Sequence, residues 1–219
     1  RSPTVTGVQT CALPIYHMAL DMATIRNLEL TETLYDKKRQ GSLLGVLDHC
    51  HTAMGSRKMK QWIREPLNQS QTIRQRLDAV EELLDDPLRR NNIQENLKAV
   101  YDFERLTARI ACGNANGKDL VALCHSLYVI PELKLDLEDT RSSLLQDLGQ
   151  RMDPMQEIYQ DIDRAIAEDP PFSIREGGII RDGFSPELDQ LKTSIKEAKQ
   201  WIADLEQSER RRKIEREHV

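Results

Sequence analysis

Hydrophobic positions along this chain recur mostly at steps of three and four, which predicts helices along nearly its whole length. The clearest case is C-terminal, where Leu188, Leu191, Ile195, Ala198, Ile202 and Leu205 alternate steps of three and four for nearly three heptads. That is the narrow seam of a coiled coil, on a helix opened by Ser185, Pro186 and Glu187. Over 186–216 such a helix is about 46 Å long at 1.5 Å per residue. The seam expects a partner helix that no later stretch of residues 1–219 supplies.

Upstream the elements are shorter. Residues 20–30 (LDMATIRNLEL) fit neither a helical nor a strand period, 31–41 form a polar connector, and 42–48 a short helix. Thr52 can cap a helix running to 65, with Met54, Met59, Trp62 and Ile63 turned to a core. Gly55 inside it costs about 1 kcal/mol relative to Ala, which points to close packing of another backbone there. Pro66 ends the helix by pushing its predecessor out of the helical region. Asn68, with Gln71 three residues on, has the form of a capping box opening a helix to 84, with Ile73, Leu77, Val80 and Leu84 as the buried stripe. Helices follow at 88–100, at 102–112 (Phe103, Leu106, Ile110, stopped by Gly113) and at 118–130 (Leu120, Leu123, Leu127, Ile130, with Pro131 next). Residues 132–167 give further helices whose boundaries the pattern does not fix.

Pro170-Pro171 breaks the helical pattern. From there to Ser185, Gly177, Gly178 and Gly183 lie among Ile174, Ile179, Ile180 and Phe184, which predicts a hairpin-like extended crossover turning at Glu-Gly-Gly. No βαβ rhythm occurs, so a parallel-sheet enzyme is not expected. The expected fold is all-α: an elongated helical core over 16–184, a short Gly-rich extended crossover, and a long helix over 185–219.

Composition narrows the classes. Aromatic residues are only 5% and charged residues 31%, a profile of elongated helices rather than a compact α/β core. No apolar run approaches the roughly 18 residues that would span a bilayer, so a soluble, cytoplasmic protein is expected. A net charge of −5 excludes a surface basic throughout, so any nucleic-acid contact must be local. Cys50, Cys112 and Cys124 lack CxxC spacing, which favours reduced thiols over a disulfide frame. Residues 5–15 (VTGVQTCALPI) read as a translated sequencing adapter, to which Cys11 belongs, rather than as a signal peptide. Residues 1–15 are therefore expected to be a disordered artefact that contributes nothing to folding. Val219 lies inside a charged helical stretch with no stop signal, so the reading is of a chain cut there as well.

Candidate chemistry is sparse. No GxxxxGK[ST] loop is present to cradle a nucleotide phosphate. His49-Cys50-His51 places three possible ligands in three directions, whereas zinc spacing leaves two to four residues between them, so a loop-to-helix junction is the better reading. Glu81-Glu82 and Asp85-Asp86 sit at a helix end with no nucleophile or His nearby, and read as a solvated face. Between residues 192 and 216 eight basic side chains stand against five acidic, with Arg210-Arg211-Arg212-Lys213 the strongest cluster. A salt-bridged helix face explains this as readily as a nucleic-acid contact.

Two segments carry a family resemblance: 42–67 (SLLGVLDHCHTAMGSRKMKQWIREPL) and 172–191 (FSIREGGIIRDGFSPELDQL). Both resemble the core, or lever, region of the MutS family of DNA mismatch-recognition proteins, and the likeness runs from about residue 20 to about 213. It departs at Gly117-Lys118, where an Ala-Arg pair is commoner, and over the last six residues. The resemblance implies a helical core leading into the helices that carry a DNA clamp, with a returning helix over the seam. It makes Gly55, Arg57, Pro66, Gly177, Gly178 and Gly183 structural signature positions, the Gly177-Gly178 turn setting the angle at which the lever leaves the core. It implies DNA-phosphate contacts for Lys192, Lys196, Lys199, Arg210, Arg211, Arg212 and Lys213. It also implies an intact parent that is a homodimer on mismatched double-stranded DNA and a DNA-dependent ATPase using ATP and Mg. The ATPase and mismatch-reading parts would lie outside this chain, which by itself would be no enzyme and would hold no cofactor or metal.

The rival reading is a structural coiled-coil or scaffold protein with no nucleic-acid role. The heptad seam suits it equally well. Residues 20–183, whose ordered motifs a plain coiled coil does not need, are what discriminate the two.

Overall fold

A computed structural model describes residues 16–217, with side chains as far as Arg211. The expectation for residues 1–15 lies outside the described residues. Among those described the fold is all-α, with eleven α-helices, one 3-10 turn and no strand. Two compact units divide the chain. The first runs up to Ala115 and adds Ala122–Tyr159; the second holds Asn116–Val121 and everything from Gln160 on.

The first unit opens with α1 (Met22–Asn27), α2 (Leu43–Leu47) and α3 (Ala53–Arg64). Residues 20–30, undecided by periodicity, thus contain a helix of six residues, too short to display a period. Its signal is the cap: the Asp21 carboxylate accepts the Thr24 N–H at 2.6 Å. Ser42 and Thr52 cap α2 and α3 in the same way, accepting from the Gly45 N–H at 3.2 Å and the Gly55 N–H at 3.0 Å. Ile25, Leu30, Leu44 and Ile63 form one small core, with Leu20 and Met59 against it. Trp62 does not join them. It is exposed, and the Arg76 guanidinium lies 3.7 Å above its ring. Nor does a second backbone approach Gly55, whose open side is filled by the side chains of Thr52 and Cys50.

Helices α4 (Ser70–Asp85), α5 (Pro87–Lys98), α6 (Phe103–Ala111), α7 (Gly117–Tyr128), α8 (Ile130–Glu138) and α9 (Ser143–Arg151) follow. Two expectations fail on α4. It begins after Gln69 with no side-chain cap bond, so the Asn68–Gln71 box is not its start. Its predicted stripe of Ile73, Leu77, Val80 and Leu84 is exposed; Ala79 is buried instead, with Leu83 partly so, among Ile93, Leu137, Leu145 and Met152. The covered face lies about a third of a turn round from the most apolar one, because α5 and α9 pack there. Pro131 follows α7 as expected but sits in the first turn of α8, where its missing N–H is harmless.

Long-range polar bonds fasten these helices. Ser126 is fully buried, donates to the Ala122 carbonyl at 2.8 Å and accepts the Tyr101 N–H at 2.9 Å. Glu82 accepts the N–H groups of Arg141 and Ser142, both at 2.6 Å, at the start of α9. The solvated reading of Glu81-Glu82 therefore fails for Glu82. Burial raises its carboxyl, but those two N–H groups outweigh it and hold the group below the ordinary carboxylate range. Cys50 and Cys112 are exposed, while Cys124 is buried with its thiol 3.9 Å from the Tyr159 carbonyl.

The second unit holds most of α10 (Gln156–Ala165), the 3-10 turn Ile174–Glu176 and α11 (Pro186–Glu217). The extended crossover exists, but its legs do not pair with each other. Residues 179–181 pair instead with the tail of α10, through Ala167 N–H to Ile179 O and Arg181 N–H to Ala165 O, both 2.9 Å. Of the residues that a hairpin would need before the Glu-Gly-Gly turn, Ile174–Glu176 form the 3-10 turn instead.

Candidate nucleic-acid interface

The basic side chains singled out by sequence sit on α11, an unbroken helix of 32 residues. Neither Gly nor Pro occurs after Pro186 within it, and this uninterrupted run accounts for its length. Its root is held by the crossover. Gly177 and Gly178 both have positive φ, +74° and +77°, so the Glu-Gly-Gly turn needs residues without a Cβ. Gly183, at φ +86°, donates its N–H to the Asp189 carboxylate at 2.9 Å, and Ser185 Oγ accepts the Leu188 N–H at 3.4 Å. Arg181 donates to the Ile166 carbonyl at 3.1 Å and pairs with Asp163 at 3.5 Å.

Lys192 belongs to this root. Its ammonium donates to the Ile180 carbonyl at 3.1 Å and to Asp182 at 2.7 Å, and the Asp182 carboxyl is lowered by that hydrogen bond and by the lysine charge. Lys196, Lys199, Arg210 and Arg211 are exposed farther along. Lys192, Lys196, Lys199 and Arg210 fall on one side of the helix at 3.6 residues per turn, spanning about 27 Å of its axis. Arg211 lies away from that line. The backbone of Arg212 and Lys213 continues α11, and their side chains lie outside the described residues. Of the acidic groups between Lys192 and Arg211 only Glu206 falls beside that stripe; Glu197, Glu209 and Asp204, which accepts from Gln200 at 2.9 Å, lie on other faces. Contacts from such basic side chains to a polyanion are of the charge–phosphate kind, which is independent of sequence.

The remaining signature positions lie in the first unit. Arg57 on α3 forks onto Asp102, 2.8 Å on each arm, and donates through Nε to Glu104 at 2.9 Å. Its guanidinium is raised well above its usual value, first by Asp102 and then by Glu104, and the hydrogen bond from Arg57 lowers Asp102. Asp102 also caps α6, so Arg57 clamps α3 to the α6 N-terminus. Pro66 follows the end of α3 in extended chain and accepts the Met18 N–H at 2.8 Å. At His49-Cys50-His51 the structured element is Asp48, which accepts from the Cys50 N–H and from Ser56 Oγ, each at 3.1 Å, and pairs with Arg39. Among the described residues no three His, Cys, Asp or Glu side chains converge to hold a metal, and no helix is long and apolar enough to cross a membrane.

Sequence reasoning missed Glu82, Ser126 and the acidic partners of Arg57. Asp102 had a legible signal, a short acidic residue just before a helix. Glu82 had none, and neither did Ser126 for its bond to Tyr101, since both bonds reach backbone far away in sequence.

The matched family, described as MutS domain III, covers residues 23–218. The DNA mismatch repair protein MutS of Halothermothrix orenii is 45% identical over 90% of this chain, and that of Acetivibrio thermocellus is also 45% identical over 90%. The Alkaliphilus oremlandii protein of the same name is 46% identical over 89%. This chain spans 22% of the length of each of these relatives.

Proposed function

Since this chain belongs to the MutS family, as its domain III, we propose that it acts inside a cytoplasmic DNA mismatch-repair protein as a mechanical coupler. In this reading α11 carries displacement between a nucleotide-driven module and the part that closes on DNA. The observation that carries it is a helix of 32 residues fixed at its root by Gly183, Ser185 and Lys192 and free of any break beyond it. Axial hydrogen bonds make such a rod stiff, so motion imposed at the root reaches the far end. The basic side chains beyond the root, Lys196, Lys199, Arg210 and Arg211 with Arg212 and Lys213, then meet phosphates of mismatched double-stranded DNA. Lys192 serves the root instead. The whole protein, as a homodimer, would use ATP with Mg at a module outside residues 1–219, and this chain alone would bind neither.

Coupling requires two discrete states that both sites bias. A full-length relative carrying residues 23–218 of this chain in place of its own provides the test. Ala203→Pro should kink α11 in mid-course. Nucleotide-free mismatch binding and basal ATP hydrolysis should persist, while release of mismatched DNA on adding ATP should slow at least tenfold. Unchanged release with a kinked helix would sink the coupling role.

A further inference from the structure

Asn116-Gly117 is the only Asn-Gly pair in the sequence. In a mobile chain such a pair is chemically unstable, because glycine has no Cβ to keep its nitrogen away from the asparagine side chain. The Gly117 nitrogen bonds to Asn116 Cγ, the C–N bond of the side-chain amide breaks, and the amide leaves as ammonia with the proton from Gly117. Water then opens the cyclic imide at either carbonyl. One opening gives aspartate; the other gives isoaspartate, with the main chain rerouted through the former side chain.

In the folded chain both reacting groups are engaged. Asn116 stands just before α7 and Asp119 in its first turn, and the two hold each other. The Asn116 side-chain oxygen accepts the Asp119 N–H, and the Asp119 carboxylate accepts the Asn116 N–H, both at 2.9 Å. Gly117 is buried against the Pro170 ring, itself fully buried: a Cβ added to Gly117 would lie 2.7 Å from Pro170 Cβ and 3.3 Å from Ile179 Cγ2. Lys118 pairs with Asp169, the residue before that proline, at 3.6 Å.

For the reaction, Asn116 must release the Asp119 N–H and turn its Cγ onto the Gly117 nitrogen, and the Gly117 peptide must turn to meet it. The reciprocal bonds oppose the first movement and the proline ring opposes the second. We propose that Asn116 is a site of spontaneous deamidation that the fold holds closed, converting only when the start of α7 opens. The inference stands apart from the coupling reading. All of these groups belong to the second unit, so conversion marks an opening of that unit. It is also irreversible damage, because isoaspartate adds a main-chain atom where Gly117 has no spare room against Pro170.

Peptide mapping by mass spectrometry on the 219-residue chain, held at mildly alkaline pH, reads conversion as the mass gain from amide to acid at residue 116. Wild type unfolded in guanidinium chloride should convert Asn116 at least tenfold faster than folded wild type, and faster than Asn114, which precedes Ala115. Asp119→Ala removes the acceptor of the Asn116 N–H and should speed conversion in the folded chain at least threefold. Asp119→Glu keeps a carboxylate there and should not. The wild-type comparison needs no variant, so it stands even if Asp119→Ala weakens the fold. Chains converted in guanidinium and then refolded should show, by hydrogen exchange, an unprotected population over the first turns of α7. Equal rates in folded and unfolded wild type, an Asp119→Ala chain that keeps its helical circular dichroism and converts no faster, or full protection after conversion would each overturn the proposal.

Discussion

Helices α7 to α9 and helix α11 are written in the same three-and-four repeat and meet opposite fates. In the first group Leu123, Leu127, Leu133, Leu137 and Leu145 are all buried; on α11 every large apolar side chain from Leu191 to Leu205 is exposed. Periodicity fixes that a segment is helical and which face is apolar, but not what covers that face. Helix α8 meets α9 across a loop of four residues, so its partner arrives at small entropic cost. Gly149 lets the two come close, since a methyl group added there would sit 3.1 Å from Leu137 Cβ. Within the described residues α11 has no such return.

The largest expected difference is in stability. Leu127→Ala and Leu133→Ala, at 3% and 4% exposure, should each cost about 2–5 kcal/mol through lost burial and the cavity left behind. Ile195→Ala should cost less than about 0.5 kcal/mol. Urea unfolding followed by circular dichroism measures both. A loss at Ile195 equal to that at Leu127 would show α11 to be packed and would erase the contrast.

A smaller effect sharpens the comparison from its polar side, because the first unit is tied together by specific acceptors. Glu82→Gln should lose on the order of 1–2 kcal/mol at neutral pH, since two backbone N–H groups then share a neutral amide in place of a carboxylate. The folded carboxyl is depressed, so its contribution is complete above the ordinary carboxylate range. It is lost as pH falls through the folded value. The gap between wild type and Glu82→Gln should therefore narrow below about pH 4. A gap independent of pH would mean that the carboxylate charge does not matter at the α9 start.

Local chemistry was the legible part of this molecule. Thr52 as a cap, Pro66 as a stop, the Glu-Gly-Gly turn and the full run of α11 follow from residues within a few positions of one another. The all-α class follows from the three-and-four periodicity, and the family from the two motif segments. The errors share one cause, which is that burial depends on neighbours distant in the chain. On α4 the richest apolar stripe was taken as the buried one, although α5 and α9 cover Ala79 and Leu83. Trp62 falls among the apolar positions of its helix with Met59 and Ile63, yet Arg76, fourteen residues on, partners its exposed ring. Within the candidate interface, charge count grouped Lys192 with Lys196 and Lys199. Only the fold of the crossover shows that Asp182 and the Ile180 carbonyl already hold it.

The smallest expected effect concerns that distinction between a lysine used by the fold and lysines left exposed. Lys196, Lys199 and Arg210 lie along one side of α11 on a chain of net charge −5, so attraction to duplex DNA should be weak and strongly salt-dependent. Fluorescence anisotropy with a short labelled duplex at low salt should show equal binding to matched and mismatched DNA, because charge–phosphate contacts carry no sequence information. The triple change Lys196→Glu, Lys199→Glu and Arg210→Glu should weaken that binding at least tenfold and flatten its salt dependence, with no change in unfolding midpoint. Lys192→Gln should do the reverse: little change in DNA binding and a small loss of stability, since it releases Asp182 and the Ile180 carbonyl rather than a phosphate. A mismatch preference above a few-fold would place a recognition element on this chain. A Lys192→Gln variant that loses DNA binding while keeping its stability would return Lys192 to the phosphate-contacting set and remove it from the root.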